Sequence, residues 1–119
     1  MKNREIVLEN IFYDSDQWAI REDAKPSLNH LSGILKANPA IRIQLSSYTD
    51  CRGTDEYNME LSQKRAQAAV DYLTSTGIAP KRLVAVGLGE SNLTVQCECE
   101  KCTEEEHQAN RRTTFKIID

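Results

Sequence analysis

Apolar side chains along this chain fall into two rhythms that replace each other several times. Ile6, Val7 and Leu8, then Ile11, Phe12 and Tyr13, form an apolar opening interrupted by Glu9 and Asn10. That pattern predicts a first strand running into a polar corner at Asp14–Ser15–Asp16. Ala24, Leu28, Leu31 and Leu35 then recur at steps of four, three and four, the stripe of a helix that starts with Asp23 as its N-cap and ends near Asn38–Pro39. Pro26 is tolerated there, because first-turn amides have no intrahelical acceptor to lose. Ile41, Ile43 and Leu45 alternate with Arg42, Gln44 and Ser46, the period of a strand with one face on a core.

The stretch from Tyr48 to Asp55 is rich in turn formers, and Thr54 or Asp55 can cap a second helix whose first turn holds Glu56. Met59, Ala66, Ala69, Val70 and Leu73 supply its expected buried stripe, with Gly77, Ile78 and Pro80 as the stop. Arg82 to Val86 reads as a short strand ending at Gly87 and Gly89, and Thr113, Phe115 and Ile117 alternate in a last one. Between Glu90 and Asn110 the chain is polar and acidic, carries three cysteines and ends in a helix-like Thr103–Gln108. This segment is expected to be a surface excursion.

Strands alternating with amphipathic helices across short connections predict an α/β (α+β) two-layer sandwich, with two main helices packed on one mixed sheet. The pattern leaves the strand order open. A length of 119 residues suits one core, so a single domain over 1–119 is expected, with the cysteine-bearing excursion at about 90–110. Charge narrows the partners. Fifteen basic against eighteen acidic residues leave −3, and the basic ones are scattered, so nucleic acid is not an expected partner. No run approaches the roughly 20 apolar residues of a membrane helix, so membrane insertion by this stretch is not expected. The first residues lead into no signal-type apolar block, and an export signal, if the parent protein has one, is expected outside this sequence.

Candidate chemistry centres on the polar loop after the second strand. Asn58, Ser62 and Arg65 lie at steps of four and three, on one side of the second helix, and Thr49 and Asp50 precede it. An Asp can hold an ammonium and an Arg can fork onto a carboxylate, so such a set suits a zwitterion. The bland alternative is a turn Asp and a solvated helical Arg, and Asn110–Arg111–Arg112 reads likewise as a soluble corner. Cys97, Cys99 and Cys102 with His107 could hold zinc, but the Cys-x-Cys step is an unusual zinc spacing. Disulfides suit an exported domain better, with Cys97–Cys102 as the local bridge and Cys51–Cys99 as a second. No phosphate loop, Gly-x-Ser-x-Gly or His-Glu-x-x-His is present, and His30 and His107 fall in polar helical stretches. Neither an enzymatic centre nor a cofactor is expected.

The run from Thr49 to Ala66 follows the pattern T-D-x-x-G-x-x-x-Y-N-x-x-L-S-x-x-R-A. Phe12–Tyr13–Asp14, Ile20–Arg21, Asn38–Pro39, Tyr72–Leu73, Gly77–Ile78, Arg82–Leu83, Gly87-x-Gly89-Glu90 and Asn110–Arg111–Arg112–Thr113 extend the match in order. The chain thereby resembles OmpA-like peptidoglycan-binding domains, and its cysteine segment a Bacteroides-type variant of them. The resemblance implies a β-α-β-α-β-β sandwich that binds the peptidoglycan stem peptide through meso-diaminopimelate. Asp50 would hold the ammonium and Arg65 the carboxylate, with Thr49, Asn58 and Leu61 lining the pocket and Arg111 near it. A periplasmic location within an outer-membrane-associated protein is implied. Ser47–Tyr48 stand where the family often has Gly-His, and Tyr48 is expected to narrow the pocket or stack on the ligand. The alternatives are a same-fold module that docks a periplasmic protein and a small zinc-binding domain.

Overall fold

The computed structural model describes residues 5–13, 17–90 and 97–118 of the chain. The polar corner expected at Asp14–Ser15–Asp16 and positions 91–96 of the expected excursion lie outside the described residues. Four strands form one sheet: β1 (Glu5–Phe12), β2 (Ile43–Ser47), β3 (Leu83–Gly87) and β4 (Arg112–Ile117). They lie in the order β1-β4-β2-β3. β4 runs antiparallel to both its neighbours, and β2 and β3 are parallel, which makes the sheet mixed. Parallel neighbours need a long crossover, and the second helix provides it.

Helices α1 (Lys25–Ala37) and α2 (Asp55–Ser75) pack on this sheet, and a short third helix, α3 (Glu104–Asn110), precedes β4. Among the described residues the order is therefore β-α-β-α-β-α-β: α3 stands inside the stretch expected to be a surface excursion. Its first turn closes with a reciprocal capping box, in which Thr103 accepts from the Glu106 amide and the Glu106 carboxylate accepts from the Thr103 amide.

The core joins Leu28, Leu31 and Leu35 of α1, Ala69, Val70 and Leu73 of α2, and Ile43, Leu45, Leu83 and Phe115 from the sheet. The α1 stripe is the one its four-three-four spacing predicts, but its start differs. A 3-10 turn at Glu22–Ala24 leads into the helix, Ala24 stands at the N-cap without a side-chain bond, and Asp23 pairs instead with Arg21 at 2.9 Å. At the other end Arg82 donates to the carbonyls of Leu35 and Asn38, each at 2.8 Å, placing a cation on the negative end of α1. Thr54 caps α2 as expected, accepting from the Tyr57 amide. Gly77, at φ 107°, ends it with the Ile78 amide reaching back to Leu73, the return bond of a left-handed stop.

The buried stripe expected of α2 needs one correction. Met59 is 49% exposed, and the first half of the helix turns Asn58, Leu61, Ser62 and Arg65 inward instead. Close approach explains part of this choice. A Cβ on Gly87 would lie 2.3 Å from the Gln63 amide nitrogen, so the end of β3 touches the α2 backbone and leaves no room for larger groups. Ser62 fits that narrow gap, donating to the Met59 carbonyl and accepting from the Gly89 amide, each at 2.9 Å.

Candidate functional site

At the end of the sheet where β2 and β3 both finish, their loops are tied together. The Leu88 amide donates to Ser47 and the Thr49 amide to Gly89, at 3.0 and 2.9 Å. The loop after β2, the first half of α2 and the entry to β4 enclose a cavity of about 280 Å³. Thr49, Asp50, Asn58, Leu61, Arg65 and Arg111 line it, all of them named from the sequence, whereas Ser62 of the same helical row does not and bonds the Gly89 amide instead. Arg52 and Gly53 line it too. Gly53 sits at φ 97°, a left-handed conformation that the turn into α2 requires there.

Three of these lining side chains carry charge in a nearly dry setting: Arg65 is 0%, Arg111 2% and Asp50 6% exposed. Buried charges persist only where they are hydrogen-bonded. Arg65 donates from Nε to the Gln17 carbonyl at 2.8 Å and from Nη1 to the Tyr48 carbonyl at 3.3 Å, and its guanidinium lies 5.1 Å from the Tyr13 ring centroid. Burial lowers its pKa to about 10, so it is still a cation at neutral pH.

Asp50 is held from two sides. Its Oδ1 accepts from the Arg52 amide at 3.0 Å, and its Oδ2 accepts from Arg52 at 2.9 Å and Arg111 at 2.8 Å. Burial alone would raise this carboxyl, but the hydrogen bonds from Arg52 and Arg111 outweigh it and bring the group down to about 2. Arg111 also donates to the Tyr13 carbonyl at 2.7 Å and to Glu104 of α3 at 2.6 Å. Glu104 is pulled below the usual carboxylate range by that hydrogen bond. It also pairs with Arg52 at 3.4 Å, which closes a ring of two carboxylates and two guanidiniums.

Behind the charges runs a chain of hydroxyls. Tyr13 and Ser47 each share a hydrogen bond of 2.7 Å with Thr113, and Tyr13 donates to the Arg65 carbonyl at 3.3 Å. Asn58 donates to Glu90 at 2.9 Å. Two buried hydroxyls, Thr49 Oγ1 and Thr114 Oγ1, have no hydrogen-bond partner among the described residues, and of their two residues Thr49 lines the cavity.

Tyr48 neither narrows the cavity nor faces it. Its ring is buried beneath Arg112, whose guanidinium lies 3.9 Å from the ring centroid, and its carbonyl accepts from Arg65. Arg111 and Arg112 thus diverge, one into the cavity and one onto Tyr48. Sequence reasoning missed Arg52 and Glu104, since a charged residue in a turn or on an acidic helix start carries no mark of what it pairs with.

All four cysteines are joined, as Cys51–Cys99 and Cys97–Cys102, the pairing favoured by the sequence reading. The first bond fixes the residue after Asp50 to the segment that leads into α3, and so ties the Asp50 loop to the element bearing Glu104. His107 departs from its polar sequence context: it is buried.

The family model that matches this chain is that of the OmpA family, over residues 12–111. A peptidoglycan-associated lipoprotein of Brucella melitensis is 33% identical over 103 residues, which cover 87% of this chain and 61% of that protein. Among solved structures, the peptidoglycan-associated lipoprotein from Burkholderia pseudomallei superposes with a TM-score of 0.79 at 28% identity, covering 91% of this chain and 86% of that one. The cell wall anchor of the T6SS from Pseudomonas aeruginosa shares the fold at a TM-score of 0.73 and 23% identity, covering 96% of this chain and 78% of that one.

Proposed function

We propose that this chain, which belongs to the OmpA family, binds peptidoglycan non-covalently through the meso-diaminopimelate of its stem peptide and so anchors a cell-envelope protein to the wall. The observation that carries this reading is that Asp50 and Arg65, opposite in charge and nearly dry, line one cavity of about 280 Å³. The distal end of diaminopimelate bears one ammonium and one carboxylate. The ammonium joins the Asp50 carboxylate, and the carboxylate lies against the Arg65 guanidinium, where charge-assisted hydrogen bonds are strong and directional. Thr49 Oγ1 gains a partner in the ligand. Asn58, Leu61 and Arg111 complete the wall of the site.

Asp50 is already held by two guanidiniums, so an incoming ammonium must share it. Arg52 is the one that yields. Its side chain is 43% exposed against 2% for Arg111, and Glu104 already contacts its Nη2. Recognition is by binding alone, and no bond is made or broken. In this reading the domain works in the periplasm as part of an outer-membrane-associated protein, which its likeness to peptidoglycan-associated lipoproteins supports.

Calorimetric titration with a stem tetrapeptide containing meso-diaminopimelate, beside the same peptide with lysine, tests the reading. The lysine peptide lacks the distal carboxylate. Binding of the first and at least a tenfold weaker response to the second is expected, the difference of a lost charge-assisted pair at about 1.4 kcal/mol or more. Asp50→Ala and Arg65→Ala should remain folded and stop sedimenting with cell-wall sacculi. Equal binding of both peptides overturns the role of Arg65, and failure of both overturns wall recognition in favour of a protein-docking module.

A further inference from the structure

A second convergence of reactive side chains lies outside the cavity. One ligand-type atom each from Cys51, Cys102 and His107 falls within 4.8 Å of the others. His107 is 4% exposed, and its Nδ1 has no hydrogen-bond partner among the described residues. A buried ring nitrogen is ordinarily paired, so an unpartnered one on a histidine that stands with two sulfurs points to a ligand position. Cys99 and Cys97 are bonded to Cys51 and Cys102, which brings all four sulfurs to the same place.

We propose that this cluster is a thiolate–imidazole site for one zinc-class divalent cation, available when the two disulfides are reduced. Cys51, Cys102 and His107 supply three ligands, and Cys99 or Cys97 the fourth. Tetrahedral zinc, with bonds of about 2.3 Å to sulfur and about 2.1 Å to nitrogen, sets its ligand atoms roughly 3.5–3.8 Å apart. The present separations, within 4.8 Å, exceed that value by at most about 1.3 Å, so the ligands draw together on binding. A dithiol is the reductant. Each disulfide takes two electrons and two protons from one dithiol, which leaves as its own disulfide; three of the four freed thiols then lose a proton each as they ligate the cation, the fourth stays a thiol, and His107 ligates as the neutral imidazole. Glu104, Glu105 and Glu106 in the first turn of α3 add a negative field that favours a cation nearby.

The two states are alternative fastenings of the same parts. Oxidised, a covalent bond ties the Asp50 loop to the segment before α3; reduced and loaded, a metal does so. The proposal stands on the cysteine–histidine geometry and is independent of what the cavity binds.

The test uses the full 119-residue chain, reduced with a dithiol, freed of it without air and titrated with cobalt(II), then with zinc. One equivalent of cobalt should give a thiolate-to-cobalt charge-transfer band with the visible spectrum of a tetrahedral site, displaced by one equivalent of zinc. The oxidised chain should give neither. His107→Ala should weaken zinc binding about tenfold or more and move the visible bands toward those of an all-sulfur site. His107→Asn, of similar size, serves where circular dichroism shows the alanine variant unfolded. The proposal is overturned by a reduced chain without the thiolate band, by His107 variants that bind as tightly with an unchanged spectrum, or by unfolding on reduction that zinc does not reverse.

Discussion

The two halves of α2 are buried to the same degree by opposite means. In the second half Ala69, Val70 and Leu73 share the core with Leu28, Leu31 and the sheet, Ala66 is buried beside them in sequence, and stability comes from apolar area removed from water. In the first half Asn58, Ser62 and Arg65 are just as inaccessible, yet each is held by hydrogen bonds to a loop or strand end. Dispersion forces tolerate small shifts, whereas a buried charge tolerates few, because each lost hydrogen bond leaves an unsatisfied group in a poor solvent. The first kind of burial is the cheaper way to hold a helix on a sheet. The second keeps oriented charges dry around an opening, an arrangement suited to recognising a ligand.

Cutting into the apolar half should have the largest effect on stability. Leu73→Ala is expected to lose about 2–5 kcal/mol in urea denaturation, the usual result of emptying a closed leucine site. The fraction still folded should keep its cavity chemistry.

In the polar half, Arg111→Met should lose less, about 1.5–3 kcal/mol, because Asp50 keeps Arg52. Its distinguishing result is a titration. The Asp50 carboxyl, now at about 2, should move up toward the ordinary value near 3.9 when followed by NMR. The sign of the pH effect follows. Because the folded-state value lies below the unfolded one, Asp50 stabilises the wild-type fold above pH of about 4, and this contribution disappears as the pH falls toward 2. Arg111→Met should show a smaller acid-dependent loss across that window. An unchanged Asp50 midpoint would mean that Arg52 alone governs it. At the small end, Thr54→Ala removes the cap at the polar start of α2 and should cost about 1 kcal/mol in thermal unfolding.

The same contrast explains how much the sequence revealed. Apolar periodicity announces what is buried by hydrophobicity, and so the α1 stripe, the later part of α2 and the alternation of β2 and β4 were legible. Met59 was misplaced because a methionine on a helix looks like core, while its neighbours Asn58 and Ser62 look like surface. Gly87 pressing against Gln63 decides otherwise, and no spacing along the chain encodes that contact. Asp50 and Arg65 stand out from loop position and helical spacing as opposite charges near one another, but those contexts alone favour a solvated surface; the motif resemblance is what draws them, with Arg111, to one cavity. Arg52 and Glu104 form the rest of the charge ring through a contact 52 residues apart, and local pattern carries nothing over that distance. Asp23 failed as a cap for a local reason: Arg21 competes for its carboxylate.

The sheet order also bears on assembly in time. β4 lies between β1 and β2, so a chain delivered from its N-terminus can zip β2 to β3 early, while β1 waits with no neighbour until residues 112–117 arrive. Pairing Glu5 with Lys116 closes nearly the whole chain into one loop, the sort of long-range contact that slows folding. The arriving strand brings Arg111 at its leading end, so the charge ring around Asp50 is completed in the same step that seals the sheet. A partly delivered chain therefore lacks a finished pocket, because the Arg111 side of its wall comes only with the strand that closes the sheet.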